Sequence, residues 1–371
     1  MLAQMSRPRL EHLAWSKAQH GRWPLSLADS AVVTPDLESL GLPHLAGMPA
    51  PANVLPELER ALGARLGAPG GRVLVTAGAS EANACALAGL LEPGEEALVE
   101  SPGYEPHRAV PPFFGASVRI FARRREHGYG RVSEAVETAL TPATRLVLLT
   151  DLHNPGGVPL EPADAADLTA LAERHGLWLV CDETFRDAAE RPVGTSSALS
   201  DRWVTTSTLT KSYGLGSLRV GWISGGATAL ARCAAAQNAL SVEPAGPSLA
   251  LALALAPHLD ALRVRARAIL SANHALWRSL IANGLPCDAS VPSQGTTTFV
   301  HLPGAAGGDA FAAFAAGRLE LLLVPGRFFG EPRGVRIALG GEPAGCAAAL
   351  DTFQTAIHAF DEARWTAAET P

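Results

Sequence analysis

Between about residues 70 and 225 the chain alternates between two hydrophobic periods, and this alternation sharply limits the folds open to it. Seven short apolar runs end in turn signals, at 72–76, 97–99, 117–121, 145–150, 177–181, 203–207 and 220–224. Helical patterns fall between several of them. One covers 80–91, and another covers 162–175 with Ala165, Leu168, Leu171 and Ala172 on one face. Apolar runs that do not alternate with polar residues imply strands covered on both faces. Strands joined by helices imply an α/β fold around a mostly parallel sheet.

Beyond Gly225-Gly226 the composition turns helical and Ala/Leu-rich, from about 227 to 274. One long helix fits this stretch, and so do two shorter ones with a break at 244–247. Strand and turn signals return at 295–301, 321–325 and 335–340, and a last helix is expected over about 343–364. These segments read as a smaller α+β unit. The first forty-odd residues carry Pro8, Pro24, Pro35 and Pro43 and little periodicity beyond Leu10, Leu13, Ala14 and Lys17. They read as an arm that packs elsewhere. The expected division is an arm over 1–46 that joins the small domain, a large domain over 47–255 and a small domain over 256–371.

Composition excludes several classes. With 47% hydrophobic and 18% charged residues the chain has a large core and is not disordered. A net charge of −6 argues against a nucleic-acid-binding surface. Five cysteines without a CxxC read as buried thiols, and eleven histidines show no metal spacing, so no metal is expected. No apolar leader is visible, and the most apolar run, 249–256, is too short to span a bilayer. The reading is a soluble, cytoplasmic chain with no membrane partner.

Four clusters fall at strand ends, where an open parallel sheet places its ligands. In Thr76-Ala77-Gly78-Ala79-Ser80-Glu81, Gly78 permits a tight turn, Ser80 is a good helix cap, and the first helical N–H groups suit a phosphate. In Asp151-Leu152-His153-Asn154-Pro155, the proline holds Asn154 out of helical geometry, with its amide at the sheet edge. Asp182 follows the apolar run 177–180, and a carboxylate there needs a cationic partner. The run 208–222 holds Lys211 in a Thr/Gly-rich loop, followed by Arg219. Desolvation there would lower the amine's pKa, as a covalent lysine needs. Lysine is scarce: of 30 basic residues only Lys17 and Lys211 are not arginine. Any one cluster has a bland reading as a capped turn, a loop, an ion pair or a surface charge. Together they form the inventory that pyridoxal 5'-phosphate requires.

On these residues the sequence resembles the class I/II aminotransferases, among the fold-type I pyridoxal-phosphate enzymes. The resemblance runs from about residue 25 to the last helix. It is most specific at 76–104 (TAGASEANACALAGLLEPGEEALVESPGY) and at 208–222. It implies a seven-stranded, mostly parallel sheet in the large domain. It also implies an amino group moved between an L-amino acid and a 2-oxo acid, and a homodimer. By the same resemblance Lys211 is the Schiff-base lysine and the proton carrier, and Asp182 pairs with the pyridine nitrogen. Asn154 donates to the ring's 3-oxygen and also lies against the substrate, and Tyr104 stacks on the ring. Gly78, Ala79, Ser80, Thr208 and Arg219 hold the phosphate, with Thr210 nearby. Arg336, in Gly334-Val335-Arg336-Ile337, forks onto the substrate carboxylate, and Ala31 sits where the arm closes over it.

The sequence departs from the family pattern in places. Phe185 stands beside the cofactor where a tyrosine is usual. No tyrosine precedes Tyr104 to reach a partner's phosphate, and His44 is the available substitute. Trp15, Trp23, Phe328 and Phe329 line the pocket or belong to the core. The run Arg123-Arg124-Arg125 reads as a solvated strand end, and His153 receives no function. The same residues serve a C–S β-lyase, an amino-acid decarboxylase or a cyclising synthase. A non-catalytic regulator domain is disfavoured, because the resemblance begins too early to leave room for a DNA-binding domain.

Overall fold

Each of the seven apolar runs is a strand of one sheet in the computed structural model, which describes residues 10–19, 22–38, 41, 53–289, 291–292, 294–302 and 307–360. In chain order the first part comprises α1 (Glu11–Gln19), β1 (Leu25–Ser26), α2 (Val54–Leu66), β2 (Leu74–Thr76), α3 (Ala79–Leu90), β3 (Glu96–Ser101), α4 (Glu105–Ala109), β4 (Ser117–Ala122) and α5 (Val132–Ala139). It continues with β5 (Thr144–Thr150), α6 (Pro162–His175), β6 (Trp178–Asp182), β7 (Trp203–Thr208) and β8 (Gly221–Gly225). The sheet order is β2-β8-β7-β6-β5-β3-β4. Only β8 runs against its neighbours; the other ladders are parallel.

The two faces of this sheet explain why its strands read as unbroken apolar runs. Leu146, Leu148, Val180 and Val204 pack on one side with Ala82, Ala86 and Cys85 of α3. Val147, Leu149, Leu179 and Cys181 pack on the other with Val136 of α5 and Leu168 and Leu171 of α6. The buried face of α6 is Ala165, Leu168, Leu171 and Ala172, as its spacing requires.

The remainder consists of α7 (Ala227–Leu240), α8 (Gly246–Leu255), α9 (Leu259–Ala282), β9 (Asp288–Ala289), β10 (Thr297–His301), α10 (Gly308–Leu319), β11 (Leu321–Leu322), β12 (Val324–Pro325), β13 (Gly334–Ala338) and α11 (Pro343–Ala359). The helical stretch is thus three helices, with a second break at Ala256–His258. Pro257 in that break has no N–H to continue the ladder. The run 321–325 divides because its halves serve different sheets. β11 pairs in parallel with β1, while β12 joins the antiparallel order β12-β13-β10-β9. Trp277, Phe311 and Phe353 fill the core beneath that small sheet. Leu27 donates to the carbonyl of Leu322 at 3.0 Å and accepts from Ala338 at 2.8 Å, so the arm is knitted into the small unit.

One local reading is corrected. Arg123 is buried, not solvated: it is 1% exposed and ion-paired to Glu100 at 3.1 Å. Its Nε also donates to the carbonyl of Tyr129 at 2.7 Å, which the triple-arginine pattern does not reveal. On α1 the buried residue is His12. His44 lies outside the described residues. Among the described residues no helix is long and apolar enough to cross a membrane.

Candidate active site

Thr76, Thr150, Asp182 and Thr208 end four strands of the large sheet, and the four clusters follow them directly. They converge on a cavity of about 690 Å³. Ala79, Ser80, Tyr104, Asn154, Asp182, Phe185, Thr208, Thr210, Lys211, Arg219 and Arg336 all line it. Two expected residues do not. Ala31 turns away: its N–H donates to Asp29 at 2.9 Å, and its carbonyl packs against Gly340. The arm presents Ala28, Asp29 and Ser30 instead, and Arg336 donates to the carbonyl of Ala28 at 2.8 Å. Gly78 lies just behind the lining. Its φ is +89°, and a Cβ there would sit 2.6 Å from Arg219 Nη2, so a larger residue would strain the backbone and displace the Arg219 guanidinium. A larger hollow of about 900 Å³, lined by Arg72, Trp178 and Arg202, lies at the opposite strand ends and holds none of these groups.

The phosphate-type corner is built from backbone and hydroxyls. α3 starts at Ala79 with Gly78 as its cap residue and no side-chain cap, so its first N–H groups remain available to an anion. Ser80 therefore lies in the first turn and is not the cap. Thr208 and Thr210 share a hydroxyl contact of 2.9 Å. Arg219, in a left-handed conformation at φ +52°, reaches back to the carbonyl of Ala77 at 3.3 Å.

Asp182 is held as an anion. Burial pushes its carboxyl up, but hydrogen bonds from His107, the backbone of Thr184 and Asn83 outweigh burial and hold it below the usual carboxylate value. Oδ2 receives Asn83 Nδ2 at 2.9 Å and His107 Nε2 at 3.2 Å, and Oδ1 receives Thr184 N at 3.0 Å. Thr206 fixes Asn83 through a 2.6 Å bond to its amide oxygen. Sequence reading missed Asn83 and His107, although a signal was present. Asn83 lies three residues beyond Ser80 on the same face of α3, and His107 lies three residues beyond Tyr104, the cap residue of α4.

Lys211 and Arg336 are the lining cations that carry lowered pKa values. Burial pushes the Lys211 amine below its ordinary pKa, against the pull of Asp29 and with help from Arg336 and Arg219. Its carboxylate neighbour, Asp29, stands 3.9 Å away. Burial also lowers Arg336, to about 10. Its Nη1 donates to Asn154 Oδ1 at 3.3 Å, which leaves the Asn154 NH₂ available as a donor, and its Nε is buried without a partner. Phe329 covers the guanidinium at 5.1 Å. Burial and the charge of Asp182 push the Tyr104 phenol up to about 12, so it stays neutral.

The roof is α1, a helix not expected from the sequence, although Trp15 and Trp23, two of the four aromatic residues read as pocket lining or core, do line the cavity. It brings His12, Trp15, Lys17 and Gln19 to the lining, and Trp23 bonds Gln19 at 2.7 Å. Burial drives the His12 pKa down to about 3, so its ring is neutral. Lys17 is exposed but also lines the cavity, so both lysines of the chain face it.

The model of the family "Aminotransferase class I and II" matches residues 49–353. A probable N-succinyldiaminopimelate aminotransferase, DapC, of Mycobacterium tuberculosis is 33% identical over 190 residues, 49% of this chain and 48% of that one. The chain thus spans about half the length of that relative. Capreomycidine synthase of Streptomyces vinaceus is 30% identical over 274 residues, 72% of this chain and 70% of that one. The fold matches the crystal structure of a PLP-dependent aminotransferase from Streptococcus suis with a TM-score of 0.87, at 21% identity over 96% of this chain and 100% of that one.

The cofactor this family implies is pyridoxal 5'-phosphate, and the residues present fit it. The open helix start beside Arg219 suits a phosphate, the buried anion Asp182 suits a ring cation, and Lys211 is an amine of lowered pKa between them. The unpartnered Nε of Arg336 suits a carboxylate. The family model extends over most of the sheet and the small unit, and on that span the chain belongs to the class I and II aminotransferases.

Proposed function

We propose that this protein is an aminotransferase that moves an amino group between an L-amino acid and a 2-oxo acid. The observation that carries this reading is the meeting of Lys211, Asp182 and Arg336 in one cavity. Bound pyridoxal phosphate supplies an electron sink for the bond broken at the substrate's Cα. The α3 start, Ala79, Ser80, Thr208 and Arg219 anchor its phosphate, with Thr210 bracing Thr208. Asp182 keeps a proton on the ring nitrogen, and Asn83 and His107 keep Asp182 ionised. Asn154 uses its free NH₂ on the 3-oxygen, while Phe185 adds no second donor there. Tyr104 lies against the ring. Arg336 takes the substrate carboxylate in a fork, helped by the Ala28 backbone, and so aligns the Cα–H bond. Lys211 would be the group that takes the proton from the substrate's Cα and delivers it once the bound cofactor has stabilised the carbanion; its lowered pKa leaves more of the amine neutral for this work.

The arm, large and small units are proposed to divide at 1–46, 47–255 and 256–371. A homodimer and a cytoplasmic location are proposed on the resemblance and composition, with small amino and oxo acids as the partners, and neither nucleic acid nor membrane.

A second reading has one observation in its favour. The match to capreomycidine synthase covers 72% of this chain, against 49% for DapC. A cyclising reaction would use the same residues and differ in the bond broken next. A single-turnover panel separates the two. Each L-amino acid is added alone to holoenzyme, and the products are quantified by mass spectrometry. The proposal expects one equivalent of 2-oxo acid per site, with no ammonia or carbon dioxide. A ring-closed product, or a multiple-turnover product from a lone amino acid, would replace it.

A further inference from the structure

The roof of the cavity is held in an unusual way. α1 is a nine-residue helix with only His12 buried. A helix that short is marginal on its own, so its position must come from tertiary contacts. The main polar one is a long-range cap. Glu105 accepts the His12 N–H on Oε2 at 2.7 Å and the Glu11 N–H on Oε1 at 3.2 Å, although it lies 93 and 94 residues further along. Its side chain is buried, with 7% exposed. A carboxylate on the first free donors of a helix makes a charge-assisted bond and also meets the positive end of the helix dipole. At the other end Gln19 accepts from Trp23 at 2.7 Å, and further contacts are apolar or exposed. His12 and Trp15 pack on Phe328 at 5.1 and 5.4 Å between ring centroids, and Arg327 pairs with Glu11 at the surface.

The place of Glu105 in the chain gives the cap a further meaning. It follows Tyr104, which lines the cavity, and precedes His107, which holds Asp182 at 3.2 Å. One short helix, α4, with its cap residue Tyr104, therefore touches the floor of the site through Tyr104 and His107 and its roof through Glu105.

We propose that Glu105 is a positioning residue that latches α1 over the cavity, so that filling the cofactor site and closing the roof over an amino acid are coupled through α4. The proposal rests on this cavity being the reaction site. Hydrogen–deuterium exchange of the α1 amides is measured on the full chain, with and without pyridoxal phosphate, for wild type, Glu105→Ala and Glu105→Gln. In wild type the cofactor slows exchange across Glu11–Gln19. In Glu105→Ala those amides exchange about tenfold faster, the size of a lost helix cap, and the cofactor no longer slows them. KM for the amino acid rises about tenfold while kcat stays within about threefold, and the cofactor Kd weakens by the factor by which the cofactor slows α1 exchange in wild type, as coupling through one latch requires. Exchange across α1 that is unchanged by Glu105→Ala overturns the latch. If that variant does not fold, Glu105→Gln serves, because its NH₂ must face one of the two donors; unchanged exchange there is equally contrary. Should the single-turnover panel yield no 2-oxo acid while α1 exchange still depends on Glu105, the transferase reading fails and the latch stands.

Discussion

Replacing Lys211 with alanine leaves a folded protein that still binds pyridoxal phosphate but loses transfer by about 10⁴-fold, the upper range for removal of a proton-transfer group. Folding survives because burial penalises the ammonium form, as its lowered pKa records, so deleting the amine relieves a cost. Binding survives because the α3 start, Thr208 and Arg219 do not depend on the amine. The loss is concentrated in kcat, since Arg336 still takes the carboxylate. Steady-state rates with the best donor from the single-turnover panel, alongside a thermal melt, check this. A variant with rates within tenfold of wild type would remove Lys211 from the reaction.

Asp182→Ala carries the second large effect. Breaking a buried charge pair by deleting one partner costs about 3–5 kcal/mol, so kcat/KM falls by about 10³-fold. The same change strands Asn83 and His107, whose donors now point at Asp182. Each orphaned donor costs about 1–3 kcal/mol, so the melting temperature drops as well, unlike that of Lys211→Ala. The pH dependence follows in sign. The folded pKa of Asp182 is below its unfolded value, so the stability its charge contributes is present above the unfolded pKa and is lost as pH falls through the folded one. Asp182→Ala should therefore flatten the loss of stability at the acid end, below the ordinary carboxylate range. An unaltered acid transition in urea melts at several pH values would contradict the assigned charge.

Much of this architecture is legible in the chain because buried strands and strand-end chemistry leave local marks. The apolar runs at 145–150 and 177–181 became β5 and β6 because their neighbours cover both faces. Asp182 stands out as a carboxylate closing such a run, and Lys211 as an amine in an uncharged loop. The parts that stayed hidden depend on partners far apart in sequence. Asn83 reaches Asp182 across 99 positions and Thr206 across 123, and Glu105 caps a helix 93 positions upstream. Arg123 looks like surface charge until β3 brings Glu100 beside it. In the arm it is Ala28, three residues before Ala31, whose carbonyl meets Arg336. The pairing of β1 with β11 that fixes this register is also long-range.

The chain has only two lysines, and both line the cavity, which allows a direct test of where the cofactor attaches. Holoenzyme is treated with borohydride to trap the lysine-bound cofactor, digested, and mapped by mass spectrometry. The added cofactor mass falls on the peptide containing Lys211, and the peptide containing Lys17 is unmodified. The mass on Lys17, or on neither lysine while the cofactor remains bound, would contradict the assignment of Lys211 as the reacting amine.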